Sequence, residues 1–422
     1  MHGVRLALFG SIAILAAAEA RAQPVQEAPG KLVAVRAAAF VDVRAGKLVP
    51  EAVLLVRGER IEACGSAQDV VVPEGAELVD LGQLVLLPGL IDAHVHLAWG
   101  AARPGQPLPG TDEARLTLEA GFTTVRNLGS TARADLALQH AIEAGEVPGP
   151  RMLVAVSGIG PRGGVCAGVF AGEATADTPE AARERVRELV DAGAGVIKVC
   201  AGGGVLLAEA ERDACECDAA LLEAIVDEAH RLGCKVAAHA QGPAAIERAS
   251  AAGVDSIEHG GLADGAVLTR LAERRTFLVP TLARIDVMIE GAEQAGAPQA
   301  QLDSLLHARE LAYGSTAAAV KAGVRIALGT DASVLPHGSN ARELRALVEA
   351  GLSPLEALRA ATIHAAELLG WTARVGALEP GLLADAIAVQ GNPLEDVGAL
   401  ERVVFVMKGG TVVKGPGIAG QR

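Results

Sequence analysis

Six residues of this 422-residue chain are candidates to bind metal ions together, and each stands in or at the end of a short apolar run rich in Val, Ile, Ala or Leu. They are His94 and His96 in PGLIDAHVHL, Lys198 in GVIKVC, His239 in VAAHAQG, His259 in DSIEHG and Asp331 in ALGTDAS. On a strand, residues two apart share a face, so His94 and His96 project to the same side. Neutral imidazole is a good ligand for zinc. A carboxylate at Asp331 can bind one ion, take a proton from activated water and pass it to a leaving group. Lys198 interrupts Val196-Ile197-Lys198-Val199-Cys200, where an unpaired ammonium is costly to bury. Carbamylation by CO2 would turn its amine into a carboxylate able to bridge two cations. The structural alternative pairs the lysine with Asp331 or Glu258 and needs no second metal.

Taken singly, each residue has a plain reading: a histidine satisfied by core hydrogen bonds, an aspartate closing a turn. Their convergence on strand ends changes the balance, because strands that feed one shared pocket are how a (β/α)8 barrel builds a site from distant sequence. Two ions sharing a hydroxide would lower its pKa to about 7 and polarise a scissile carbonyl, which suits hydrolysis of an amide, ester or related bond. The chain contains no GxSxG, HExxH or Walker loop. The run AGGGVL after Lys198 lacks GxGxxG spacing and reads as a tight turn.

The elements that must position these residues follow from patterning. Eight strand-like runs, LVLLPGLIDAHVH, GFTTVRNLG, RMLVAVSG, GVIKVCA, CKVAAHA, VDSIEHG, TFLVPTL and VRIALGTD, alternate with helical stretches such as TPEAARERVRELVDAG and AALLEAIVDEAHRLG. That alternation predicts a parallel α/β barrel over residues 88–371. Thr178 before Pro179, and Gly193 and Gly233 as terminators, fit helix ends. Residues 31–87 and 372–415 instead show period-two alternation broken by Gly, as in EAVLLVRGERIEACG and VVFVMKGGTVVKG. These two stretches are expected to pair into one small β-sandwich domain.

Composition narrows the function. Hydrophobic residues make up 50% and aromatics 2%, so the core must be aliphatic, and a net charge of -14 excludes nucleic acid as the expected partner. Residues 1–22 resemble a secretory signal: Arg5 precedes an apolar stretch from Leu6 to Ala18, and Ala20-Arg21-Ala22 supplies small residues for cleavage. The mature enzyme is then expected in the periplasm or outside the cell, with no membrane attachment; a retained anchor is the competing reading. Of the six cysteines, Cys64, Cys200 and Cys234 lie in apolar runs and read as small buried hydrophobes. Cys166, Cys215 and Cys217 fall in loop-like sequence, where one disulfide among them could form.

At these residues the chain resembles the amidohydrolase superfamily, in its branch of imidazolonepropionase-like hydrolases that includes Xaa-Pro, Xaa-Arg and Xaa-Lys dipeptidases and ochratoxin-type amidases. The resemblance runs from about Lys31 to Gly415 and includes SPLEALRAATIHAAELLGW, GALEPGLLADAIAV and GNPLEDV. It implies two divalent ions, zinc by expectation, with His94, His96 and Asp331 on the more buried ion. His239 and His259 would hold the other, and carboxylated Lys198 would bridge both. It also implies a urease-like β-domain made by the two ends.

One departure concerns substrate. Relatives in the dipeptidase branch carry a TGGH-like segment after the third strand, whereas this chain has PRGGVCAG, with Val165 and Cys166 where that histidine would fall. Arg162 or Arg284 could supply a grip on a free carboxylate instead, since guanidinium binds carboxylate through paired hydrogen bonds, although an ordinary surface arginine is the favoured reading of each. His337 in LPHGSN could line the same mouth, and Trp99 could wall it or pack beneath a loop. His140, His230, His307 and His364 lie in helical stretches and read as structural or exposed, and Arg126 as a buried ion-pair partner. The expected reaction is hydrolysis of dipeptides or N-acyl amino acids. A deaminase or a cyclic-amide or lactone hydrolase on the same barrel is the alternative, against which Lys198 counts. A non-catalytic member would be expected to have lost ligands. Assembly into a homo-oligomer is left open.

Overall fold

The computed structural model describes residues 30–100, 105–170, 175–205 and 216–415. The signal expected over residues 1–22, and Cys215, lie outside these. Each of the eight apolar runs supplies one barrel strand, in chain order: Leu90–Val95, Phe122–Asn127, Arg151–Val154, Val196–Gly202, Lys235–Ala240, Ser256–His259, Phe277–Val279 and Arg325–Ile326. Parallel pairing joins the first three and, separately, the last five. A short extra strand, Gly158–Ile159, pairs with the fourth, and the Gly195 amide donates to the Val154 carbonyl, which bridges the third and fourth. At the other seam Ala93 donates to Leu328, Asp331 to His94 and His96 to Ala332 through backbone amides. The ring closes as a (β/α)8-type barrel.

The helices obey their local signals. In Pro179–Ala192 the Thr178 hydroxyl accepts from the Ala181 amide at 3.2 Å and Gly193 ends the helix at φ 114°. Its buried residues are Ala182, Val186 and Leu189, spaced to form one stripe against the sheet. Among the described residues no helix is long and apolar enough to cross a membrane.

The two ends of the chain share one eight-stranded mixed sheet, the form taken by the expected β-sandwich. Val85–Pro88 lies parallel to Leu32–Asp42 on one side and antiparallel to Ala386–Val389 on the other. Alternation along Leu32–Asp42 sends Val33, Val35 and Ala37 into a cluster with Leu54, Leu86, Phe405 and Met407, while Ala34 joins Val53, Leu55 and Val70 on the opposite face.

Two expectations need correction. The run LVLLPGLIDAHVH is two strands in two sheets, parted at Gly89, where any Cβ would collide with the Thr123 side chain. Apolar patterning is continuous across that junction because both sheets bury their share, so periodicity cannot mark the break. Cys200, read as a buried thiol, is instead bonded to Cys166 in a disulfide spanning 34 residues. It stands at the end of the fourth barrel strand facing the short helix Val165–Val169, and an apolar local context says nothing about a neighbour brought by another loop. The Cys217 thiol donates to the Cys200 carbonyl at 3.1 Å.

Candidate metal centre

Five of the six ligand candidates stand near or beyond the C-terminal ends of barrel strands, and Lys198 lies within the fourth strand, Val196–Gly202. Ring contacts chain the imidazoles together: His94 with His96 at 5.4 Å between centroids, His94 with His259 at 5.1 Å, and His239 with His259 at 4.7 Å. Donor atoms of His94, His259 and Asp331 all lie within 4.8 Å of one another, close enough to share one cation. This tightest group draws on both sets into which the resemblance divides the ligands. The Asp331 Oδ1 atom is 3.5 Å from Nε2 of both His94 and His96.

The hydrogen bonds behind the rings decide which nitrogen faces the site. Nδ1 of His94 meets Glu258 Oε2 at 2.8 Å, Nδ1 of His96 meets the Gly129 carbonyl at 3.1 Å, and Nδ1 of His259 meets the Thr281 hydroxyl at 2.7 Å. Each ring therefore keeps Nε2 for the centre. His239 is engaged the other way, its Nε2 on the Gly203 carbonyl at 3.2 Å, which leaves Nδ1. Such outer contacts orient metal ligands and fix their tautomers.

Backbone geometry contributes as much. His259, Thr281 and Asp331 hold left-handed φ values of 73°, 53° and 58°, conformations that side-chain-bearing residues seldom adopt and that concentrate at functional sites. The regular part of the eighth strand ends at Ile326, earlier than the run VRIALGTD suggested. Beyond it Gly329 presses against the first strand, where a Cβ would come 2.8 Å from that of His94 and strike Val279. Asp92 locks this approach, accepting from the Thr330 amide at 3.1 Å, the Thr330 hydroxyl at 2.6 Å and Asn340 Nδ2 at 2.8 Å.

Charge states suit a cation. Burial, reinforced by Lys198, lowers His94 to about 4 and His239 to about 3. Burial likewise lowers His96 and brings His259 well below the usual imidazole range. Burial works against ionisation of Asp331, but His94, Arg284 and His96 outweigh it and hold the carboxyl well below its ordinary value. Lys198, 3% exposed, is lowered by burial to about 8, with Glu258 and Asp331 pulling the other way. Four neutral imidazoles and an ionised carboxylate form a donor set that fits one or two divalent ions.

The substrate candidates separate. Arg284 is buried, its Nε 3.2 Å from the Thr281 hydroxyl and 3.6 Å from Asp331 Oδ2. Arg162 pairs with Asp177 at 3.3 Å on the surface. Trp99 stands edge-on to His96 at 5.1 Å and to Phe170 at 5.7 Å. His337 rests near the Thr117 hydroxyl, 3.4 Å away. His140, His230 and His307 are exposed on helices, and Arg126 is buried in an ion pair with Glu258. Sequence reasoning overlooked Asp92, Thr281 and Phe170. A carboxylate two residues before His94 was a usable signal for Asp92; nothing local marked the other two.

Comparison with known proteins agrees with the geometry. Residues 85–415 match the amidohydrolase family. The chain is 34% identical over 375 residues to ochratoxinase of Aspergillus niger, covering 79% of this chain and 76% of that one. A crystal structure of a Xaa-Pro dipeptidase with bound methionine in its active site superposes with a TM-score of 0.81 at 29% identity, covering 91% of this chain and all of that one (100%). A prolidase complexed with N-methylphosphonate-L-proline gives 0.78 at 30% identity, over 92% and 100% of the two chains. The match takes in the barrel and the strands that return to the small sheet, and the chain belongs to the amidohydrolase family of metal-dependent hydrolases acting on carbon–nitrogen bonds.

Proposed function

We propose that this amidohydrolase cleaves the amide bond of dipeptides or N-acyl amino acids at a two-metal centre, with zinc as the ion and a carbamate on Lys198 as the bridge. The observation that carries the reading is the meeting of His94, His259 and Asp331 donors within 4.8 Å, ringed by His96, His239 and buried Lys198. The amino-acid character of the ligands named for the dipeptidase and prolidase relatives supports the substrate class.

Bound divalent ions supply Lewis acidity toward water and toward a scissile carbonyl. The chain's own residues do the rest. Asp331, held ionised, accepts at Oδ1 the proton released by attacking water and delivers it to the departing amine nitrogen. Arg284, at 3.6 Å from Asp331 Oδ2, offers a guanidinium edge for the free carboxylate of the substrate. Trp99 and Phe170 give an apolar side to the mouth, with His337 near its edge as a further substrate contact. Location in the periplasm or outside the cell is part of the proposal, and the Cys166–Cys200 disulfide supports it because such bonds persist in oxidising compartments.

The test is a library of dipeptides and N-acyl amino acids presented to zinc-reconstituted protein, with metal content measured in parallel. Hydrolysis of library members with about two zinc per chain, both falling in Lys198→Ala, is the expected result. Turnover of a lactone or cyclic imide with no amide cleaved would overturn the substrate class. Unchanged metal content and activity in Lys198→Ala would remove the bridge.

A further inference from the structure

Three fully buried polar side chains lie beneath the centre and take no part in the chemistry above. Arg126 on the second barrel strand donates from Nη2 to Glu258 Oε1 at 2.8 Å and from Nη1 to the Ser256 hydroxyl at 3.0 Å. Ser256 donates in turn to the same Oε1. Arg126 Nε donates to the carbonyl of Ala93, the residue before His94. The other oxygen of Glu258, Oε2, is the one that meets His94 Nδ1 at 2.8 Å.

We infer that Glu258, oriented by Arg126, is a positioning residue that fixes the proton of His94 on Nδ1 and so commits its Nε2 lone pair to the metal. A guanidinium is permanently charged, and at 1% exposure it needs a buried anion as partner. Glu258, at 0% exposure, is that anion. An ionised carboxylate only accepts hydrogen bonds, so the proton in the contact belongs to the imidazole and sits on Nδ1. With Oε1 already taking two donors, Oε2 is left for His94 alone.

The other rings lack this arrangement. His96 faces a neutral carbonyl and His259 a hydroxyl that can donate or accept, so neither has its tautomer set by a charge. An anionic acceptor also makes the far nitrogen of a ring a stronger ligand, and loss of such a partner typically weakens metal affinity about 10–100-fold. Through Ala93 and Ser256, Arg126 ties three barrel strands together, so the unit that sets the tautomer also sets the height of the ring.

This inference rests on the metal centre, not on the substrate class, and its tests contain no substrate. Full-length protein stripped of metal is titrated with Zn2+ against a competing chelator, for wild type and for the double variant Arg126→Met/Glu258→Met. Replacing both buried charges by apolar groups of similar size keeps the fold's stability close to that of wild type. The expected result is a melting temperature near that of wild type with zinc affinity lowered about 10–100-fold. A folded double variant that binds zinc within about twofold of wild type would overturn the inference, because a purely architectural pair would leave affinity intact once stability returned. Nitrogen NMR of metal-free wild type labelled at histidine, with the His94 signals identified by their loss in His94→Gln, reads the tautomer directly and needs no folded double variant. A proton on Nδ1 sustains the inference, and a proton on Nε2 overturns it.

Discussion

The small mixed sheet and the rim of the barrel are both buried, yet they are filled in opposite ways. Under the sheet lie Val33, Val35, Leu54, Leu86, Phe405 and Met407, an aliphatic and aromatic filling with no charge among them. Under the rim lie Asp92, Arg126, Lys198 and Glu258, each no more than 3% exposed. Apolar filling stabilises in proportion to area and tolerates substitutions of similar volume. Buried charges add little net stability, but they hold neighbouring groups in defined directions and are severely disrupted when one partner is lost. The interior of the sheet is therefore built for stability, as is the larger apolar core of the barrel, and the rim is the region where stability is given up for orientation.

Substitutions in the two regions should separate accordingly. The largest effect is expected at the rim: Asp331→Asn keeps the shape of the side chain but removes the proton acceptor, and kcat should fall about 10²–10⁴-fold, with some stability lost because buried Arg284 is left without its anion. A variant retaining most of its turnover would move the proton acceptor elsewhere. In the sheet, Phe405→Ala opens a cavity at a fully buried position and should lower unfolding free energy by about 3–5 kcal/mol, read from denaturant titration. Zinc affinity of the folded fraction should not move, and a parallel loss of affinity would erase the distinction between the regions.

A third change lies between them. Replacing Cys166 and Cys200 together by Ser removes a cross-link closing a 34-residue loop and should lower stability by about 2–4 kcal/mol, with metal content retained. An effect read from pH rather than at one condition concerns Glu343, buried beside the helix Ala283–Gln294 and accepting from the Leu282 and Ala283 amides at 2.9 and 2.8 Å. Burial raises its carboxyl from 4.5 to about 8, so the folded protein binds this proton more tightly than the unfolded chain. The sign follows: its contribution is fully present below about pH 4.5 and is lost as pH rises toward about 8. Glu343→Gln should flatten the stability profile across that window, and an unchanged slope would show that other groups generate it.

Much of the rim was legible in the sequence because strand ends impose a simple grammar. His94 and His96 two apart, Lys198 inside an apolar run, and His239, His259 and Asp331 closing others are all visible without coordinates. What lay hidden depends on contacts between strands. Glu258 could be read as a partner for Lys198 and Arg126 as half of a buried ion pair, but that the two belong to each other, over a hundred residues apart, shows only once the strands are assembled. The left-handed backbone at His259 and Asp331 has no signature in residues that usually avoid it. The Cys166–Cys200 bond required the loop after the third strand to fold onto the fourth, which hydropathy cannot report.

The strand Val85–Pro88 is held between Leu32–Asp42 and Ala386–Val389, and Gly89 alone separates it from the strand that carries His94 and leads into His96. During synthesis, its second flank is missing until residues beyond Ala386 have emerged, so the strand just upstream of the metal-bearing one waits on a pairing with the far end of the barrel sequence. Clipping off the segment after Trp371 would uncover a bare hydrogen-bonding edge directly upstream of the ligands, inviting self-association of the nicked enzyme.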